Sequence, residues 1–334
     1  ALYSADNNKR REGMNTFVRC LAAAMLVFAL AIPGPVHAGE QKSILITGAS
    51  TGIGRNLAET LAAEGHHVYA GARKDADLAE LDAIENITAV RLDVTKQDQI
   101  DAVVALITEK GTGLWGLVNN AGVGGGGTIV DTAVDDQNFV YRVNVEGVYR
   151  TTKAFAPLVM ESKGRIATTG SIAGTLSWPG GSAYSGSKHW VEALTDALAG
   201  EMESHGVHVS VIEPGNYKSN IRRSSVARTL GVDPNSDELS DEQKQRYQET
   251  AERELSLKEP DEVTEAFKHA LFSDEPLRRY MVVPNAEEQG WTIRTKMAEL
   301  VQLNGWGPHS YSRDELVKIL DETLNPPAAE EGAE

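Results

Sequence analysis

Cysteine is almost missing from this chain, Cys20 being the only one, so no internal disulfide can form and no cysteine-based zinc or iron–sulfur site can be assembled. Basic residues are in deficit, with 32 Lys and Arg against 48 Asp and Glu. A net charge of −16 without clustered Lys and Arg is ill suited to neutralising a phosphate backbone, which disfavours a sequence-independent nucleic-acid binder. The eight histidines are scattered. Only the adjacent His66 and His67 approach ligand spacing beside a carboxylate, at the start of a strand, and we assign them no role; no metal site is expected. The apolar run Leu21 to Ile32 falls short of the about 20 residues that a membrane-spanning helix needs.

That run has the surroundings of a targeting segment. Arg19 precedes it, Pro33-Gly34-Pro35 follows it, and Val36-His37-Ala38 has small residues spaced as at a signal-peptidase site. Two readings stand side by side: export to the periplasm with cleavage near Ala38, or anchoring through Leu21–Ile32 with the folded domain in the cytoplasm. Arg10-Arg11 partly matches a twin-arginine signal, but Gly13 stands where that pattern has an apolar residue. Met14 lies just ahead of the segment, so Ala1 to Gly13 read as an upstream extension. Residues 1–40 are therefore a signal peptide or anchor, set apart from the fold.

From Ser43 onward the pattern alternates. Ser43 to Ile46 reads as a buried strand, and His67 to Ala70, Thr88 to Leu92 and Leu114 to Val118 read as further strands with helical stretches between them. Asp135 to Leu158 reads as a helix, Arg165 to Thr169 as a strand, Ser182 to Ser204 as a long helix, and Val207 to Ile212 as a strand. Asp261 to Phe272 and Trp291 to Leu303 are helical in pattern, with Arg279 to Val283 a last strand between them. Such βα alternation implies an α/β fold, a doubly wound, Rossmann-like parallel sheet in three α/β/α layers, with ligands at the carboxyl ends of the strands. We take residues 41–305 as this single domain and residues 306–334 as a C-terminal helix and acidic tail. Residues 222–258, crowded with Ser, Asp, Glu, Gln and Arg, interrupt the pattern as a polar insertion, either a helical lid or a solvated loop.

The first strand runs into Thr47-Gly48-Ala49-Ser50-Thr51-Gly52-Ile53-Gly54 and then a helix carrying Leu57 and Leu61. Glycines in such a turn allow close backbone approach, and the helix N-terminus offers free N–H groups and a positive dipole end to a pyrophosphate. No Lys-Ser or Lys-Thr follows the second glycine, which rules out a P-loop, and the spacing differs from G-x-G-x-x-G. Downstream, Tyr184 and Lys188 stand four apart on one helix. An ammonium beside a phenol favours the phenolate and lowers a pKa that is ordinarily about 10. Ser171 closes a strand at its carboxyl end, where a hydroxyl can hold a carbonyl or alcohol oxygen, and Asn144 lies within a helix. Singly, these residues have plain explanations as a surface pair, a turn residue and a local hydrogen bonder.

Together with Asn119-Asn120-Ala121-Gly122 and Pro214-Gly215, these motifs stand in an order and spacing that resembles the short-chain dehydrogenase/reductase family in its single-domain form, from about Ser43 to Pro284. The resemblance implies an oxidoreductase that interconverts an alcohol and a ketone or aldehyde by hydride transfer. It implies Tyr184 as acid/base, Ser171 as the residue orienting the reacting oxygen, and Lys188 as both the modulator of Tyr184 and a partner of the nicotinamide ribose. Asn144 would hold a water linking Lys188 to solvent. Gly48, Ser50, Thr51, Gly52, Ile53 and Gly54 would cradle the pyrophosphate. Asp93, with Val94 beside it, would meet the adenine amino group, Asn120, Ala121 and Gly122 would pass beneath the adenine ribose, and Ser219, beyond Pro214 and Gly215, would meet the carboxamide.

The end of the second strand, Val68 to Arg73, bears Arg73 and no acidic residue before it. An acid there would bond the ribose 2′-hydroxyl of NAD, whereas an Arg pairs with the 2′-phosphate, so we expect NADP in preference to NAD. Asp75 is near enough in sequence to neutralise Arg73, and Arg55 is a second candidate cation. Trp178 and Tyr217, with the insertion, would wall an apolar alcohol or carbonyl substrate. The family resemblance further implies a homodimer or homotetramer. A non-catalytic NAD(P)-binding sensor of the same fold is the alternative, which the full set Asn144, Ser171, Tyr184 and Lys188 disfavours. An epimerase or dehydratase acting on nucleotide sugars would carry a longer C-terminal substrate domain and another glycine spacing.

Overall fold

A computed structural model describes residues 41–231, 233 and 236–325. The targeting segment, Cys20 and the acidic tail lie outside the described residues.

Seven parallel strands form one sheet: β1 Ser43–Ile46, β2 His67–Ala72, β3 Ile87–Arg91, β4 Gly116–Asn119, β5 Arg165–Thr169, β6 His208–Pro214 and β7 Arg279–Val282, in the order β3-β2-β1-β4-β5-β6-β7. Order reverses at β1, which pairs with β2 on one side and β4 on the other. A crevice opens at such a switch point, beyond the strand ends. Every residue of β1 is buried, because side chains alternate between two covered faces. Ile44 and Ile46 join one core with Leu57, Leu61, Phe267 and Leu271; Leu45 joins the other with Tyr69, Ile107, Phe155 and Val159. Each such side chain contributes about 1.5–3 kcal/mol by leaving water. The sequence expectation of a doubly wound three-layer α/β domain holds.

Helix α1 Gly52–Ala63 follows the glycine turn, α2 Asp75–Asp82 and α3 Gln97–Lys110 come after β2 and β3, and α6 Ser182–Glu203 crosses from β5 to β6. The expected single helix from Asp135 to Leu158 is α4 Val134–Tyr141 and α5 Val148–Glu161, joined by a π-turn over Arg142–Gly147 that contains Asn144. Such single π-turns cost regular hydrogen bonding and cluster at functional sites. Between β4 and α4 the chain runs through Gly124, Gly125, Gly126 and Gly127 without regular structure.

The polar insertion is helical, forming α7 Ile221–Leu230 and α8 Asp241–Leu255. Ser240 and Gln243 form a reciprocal capping box that starts α8. Helix α9 Asp261–Phe272 returns to the sheet. Helix α10 Ala286–Asn304 begins five residues ahead of the expected Trp291, since the Asn285 side chain accepts from the Glu288 N–H at 2.9 Å and so caps an earlier turn. Helix α11 Arg313–Leu324 is the expected C-terminal helix. Among the described residues, no helix is long and apolar enough to cross a membrane.

Candidate active site

The glycine turn closes onto the loop after β4. Gly48 and Gly52 have φ of +68° and +58°, which L side chains rarely adopt. A Cβ on Gly48 would stand 2.8 Å from Ala121 Cα, and one on Gly54 would stand 2.6 Å from the Gly48 carbonyl oxygen. Asn120 Nδ2 donates to the carbonyls of Thr47 at 3.1 Å and Gly48 at 3.0 Å, while Thr47 Oγ1 accepts from the N–H groups of Asn120 and Ala121, each at 3.0 Å. Asn120 therefore holds the two loops together, a structural task that its place in the sequence did not reveal.

The start of α1 is left open to a ligand. Its N-cap Thr51 makes no side-chain cap, and its first turn carries no acidic residue. Free N–H groups at a positive dipole end, under a turn too tight for side chains, fit a pyrophosphate. A cleft of about 360 Å³ runs from here along the strand ends. Gly48, Ser50, Thr51, Gly52, Ile53, Arg73, Asp93, Val94, Asn120, Ala121, Gly122, Ser171, Tyr184, Lys188, Pro214, Gly215 and Ser219 all line it. Two of the expected residues do not: Gly54 packs under the turn, and Asn144 is buried behind the loop.

At the end of the cleft beyond β2, Arg73 is exposed and makes no ion pair among the described residues. Asp75 does not neutralise it: Asp75 pairs with Arg91, whose Nη1 also donates to the Arg73 carbonyl at 2.6 Å. Arg55 is drawn away to Glu59 and Glu80 and does not line the cleft. Lys74 and Asp77, which sequence reading passed over, also face this end. Asp93 accepts from the Thr95 N–H and hydroxyl at 2.9 and 2.7 Å, which fixes its carboxylate.

At the other end, Lys188 is buried, and its Nζ donates to the Thr169 carbonyl at 2.7 Å and lies 5.7 Å from the centre of the Tyr184 ring. Burial pushes the ammonium down to about 8, against the pull of Glu192. Burial also pushes the Tyr184 phenol up, opposed by its hydrogen bond to Ser171 and by the Arg222 charge. The downward shift expected from the Tyr184 and Lys188 spacing is therefore not the net result, because removing the phenolate from water outweighs the nearby charges. Ser171 is extended at the end of β5, and its Oγ accepts from the Ala173 N–H at 3.1 Å. Asn144 is fully engaged: Oδ1 accepts from the Val123 N–H at 2.8 Å, and Nδ2 donates to the Val123 carbonyl and to Ser187 Oγ, each at 3.0 Å.

A second cleft of about 420 Å³ adjoins the first. Its walls include Trp178, Tyr217, Val226, Leu257 and Trp291, with Arg222 and Glu254 from the insertion. Ser171 and Tyr184 line both clefts. Glu254 is buried and accepts from the N–H groups of Arg222 and Arg223 at 2.6 and 3.2 Å, so it ties α8 to the first turn of α7. Nothing in the sequence separates it from the other acids of that stretch. Lys218, beside Ser219, pairs with Glu259.

Comparison with known proteins bears on the family and the fold. A family model described as short chain dehydrogenase matches residues 42–229. Mitochondrial D-beta-hydroxybutyrate dehydrogenase of Mus musculus is 37% identical over 190 residues, covering 54% of this chain and 55% of that protein, so the match spans about half its length. Retinol dehydrogenase 16 of Rattus norvegicus is 34% identical over 262 residues, covering 72% of this chain and 80% of that protein. Among solved structures, a short chain dehydrogenase/reductase from Burkholderia phymatum in complex with NAD has a TM-score of 0.64 at 26% identity, covering 81% of this chain and 98% of that one. An actinorhodin polyketide ketoreductase with NADPH has a TM-score of 0.61 at 28% identity, covering 73% and 95%.

Proposed function

The chain belongs to the short-chain dehydrogenase family, and from that premise we propose that it is an NAD(P)-dependent oxidoreductase interconverting an alcohol and a ketone or aldehyde, with Tyr184 as acid/base. One observation carries this reading: Ser171 and Tyr184 sit where the long cleft meets the apolar one. A dinucleotide in the first cleft and a substrate in the second would meet at those two hydroxyls. The bound nicotinamide supplies or accepts the hydride.

Each residue then has a task set by its place. The Ser171 hydroxyl holds the substrate oxygen, and the Tyr184 phenol gives it a proton in reduction or takes one in oxidation. Lys188, fixed by the Thr169 carbonyl, keeps an ammonium next to the phenol and reaches the nicotinamide ribose. Asn144 anchors the Val123 backbone and Ser187, and the water relay from Lys188 to solvent would run beside it. Gly48 to Gly54 hold the pyrophosphate, Asp93 and Val94 the adenine, Asn120 to Gly122 its ribose, and Pro214, Gly215 and Ser219 the carboxamide.

Arg73 favours NADP over NAD, being exposed and without an ion-pair partner among the described residues, with Lys74 adding charge and Asp77 opposing it. The aromatic and aliphatic walls of the second cleft, Trp178, Tyr217, Val226, Leu257 and Trp291, suit an apolar alcohol or carbonyl, and α7 and α8 act as its lid. We also propose a homodimer or homotetramer, which light scattering tests. For residues 1–40 the proposal is export or anchoring; sequencing the mature N-terminus tests it, a start at Gly39 meaning cleavage. The function itself is tested by a panel of alcohols and carbonyls followed by nicotinamide absorbance with each cofactor. Binding of NADP(H) with no turnover across the panel would favour a sensor instead.

A further inference from the structure

One turn beyond Lys188 on the same side of α6 stands Glu192, its side chain 13% exposed. Among the described residues, its Oε1 is buried without a hydrogen-bond partner. That oxygen lies against the two glycines flanking the Ser171 turn: a Cβ on Gly170 would stand 3.2 Å from it and one on Gly174 2.9 Å. Its Oε2 accepts from Arg279 Nε at 3.1 Å, and Arg279 Nη2 bonds Asp196 at 2.7 Å. Glu213, near the end of β6, is 4% exposed, lies 4.0 Å from Arg279 Nε and is within hydrogen-bond reach of Glu192.

Two largely buried carboxyl groups thus share one guanidinium, which Asp196 also claims. With both ionised, neither could donate to the other, and Glu192 Oε1 would stay orphaned beside a like charge. A single proton shared by the two carboxyl groups lets one donate to the other and removes one of the two like charges. Burial raises both groups, with Glu192 raising Glu213 further, to about 7, against the opposing charge of Arg279.

We propose that Glu192 and Glu213 hold one shared proton behind Lys188, as positioning residues that seat the Gly170–Gly174 turn carrying Ser171 and keep Lys188 an ammonium. The proposal rests on the catalytic reading of Ser171 and Lys188 above. Among the described residues, the charged groups acting on the pair are Lys188 and Asp196 from α6, Arg279 from β7 and Lys296 from α10, while Arg278 reaches Asp196, at 3.9 Å. As pH rises through about 7 the pair releases its proton to solvent and gains a negative charge. That charge holds the Lys188 proton as pH approaches the value near 8 at which it is lost.

The deciding experiment uses the full chain with carbon-13 carboxyl-labelled glutamate, followed by NMR as pH is varied. Wild type should show a coupled pair titrating near neutrality, and Glu213→Gln should abolish that transition; glutamates that all titrate in the ordinary range of about 4 to 5 overturn the proposal. This readout needs no turnover, so its failure is separate from failure of the oxidoreductase reading, and its overturning outcome is read from wild type alone. The Glu213→Gln amide donates to Glu192 permanently but cannot add the second charge. The alkaline fall of kcat/KM for carbonyl reduction should then move down by roughly half to one pH unit, with the rate near pH 6 retained. Unshifted midpoints, with or without a uniform loss of rate, would leave the pair a merely structural contact and overturn its coupling to Lys188.

Discussion

The Nζ of Lys188 donates to the main-chain carbonyl of Thr169 at 2.7 Å, which pins the ammonium to the last residue of β5, two residues before Ser171. The carbonyl helps to offset the cost of burying the charge, but burial still lowers the lysine to about 8. The sign follows: Lys188 is charged below that value and neutral above it. Carbonyl reduction should therefore decline as pH rises through about 8, read from a kcat/KM profile. A rate flat to pH 10 would contradict the assigned role, since an ordinary lysine titrates near 10.4.

Tyr184→Phe should lose about 10²–10⁴-fold in kcat, the usual contribution of general acid–base catalysis, and leave cofactor affinity within a few-fold of wild type. Turnover and fluorescence titration with NADPH measure the two separately. Undiminished turnover would remove Tyr184 from the chemistry.

The sheet was legible because its central strands are buried on both faces: four consecutive buried residues in Ser43–Ile46 leave little room for another reading. The site was legible as a set of chain positions, and the cleft gathers all but Gly54 and Asn144 along one surface. What sequence could not give was pairing. Asp75 belongs to Arg91 and not to Arg73, because the parallel register of β2 and β3 brings Arg91 opposite Ala72. The direction of the Tyr184 shift was hidden for a related reason: spacing reveals a neighbouring charge, whereas burial depends on the whole fold. The role of Glu254 needed two helices to be packed before it had partners.

Arg73→Asp should weaken NADPH by roughly 10–100-fold, from losing a charge-assisted contact of about 1.5–3 kcal/mol to the 2′-phosphate. NADH should be affected much less, or bind better through the new carboxylate. Titration with both cofactors decides the matter, and equal losses would show that Arg73 does not read the phosphate.

Gly54→Ala places a methyl group 2.6 Å from the Gly48 carbonyl oxygen, at a spot where Asn120 already bonds that carbonyl. Relief requires the glycine turn to shift away from the Asn120 loop, and such overpacking costs about 1–3 kcal/mol. Cofactor affinity should fall at least tenfold, with a lower melting temperature. By contrast, a Cβ on Gly111 meets nothing within 4 Å among the described residues, and despite a φ of +64° Gly111→Ala should leave cofactor affinity unchanged.

Glu254→Ala removes the carboxylate that accepts from the N–H groups of Arg222 and Arg223 at the start of α7. Helix α7 has no other acidic residue in its first turn, so its exposed N–H dipoles lose both their partner and the favourable charge, about 1–3 kcal/mol. That loss falls on the two insertion helices, which have one wall of the second cleft on them, and not on the glycine turn. KM for substrate should rise several-fold while NADPH affinity holds, and limited proteolysis should cut faster between α7 and α8. A matching loss of cofactor affinity would mean that the insertion supports the whole cleft and is not a lid over the substrate end alone.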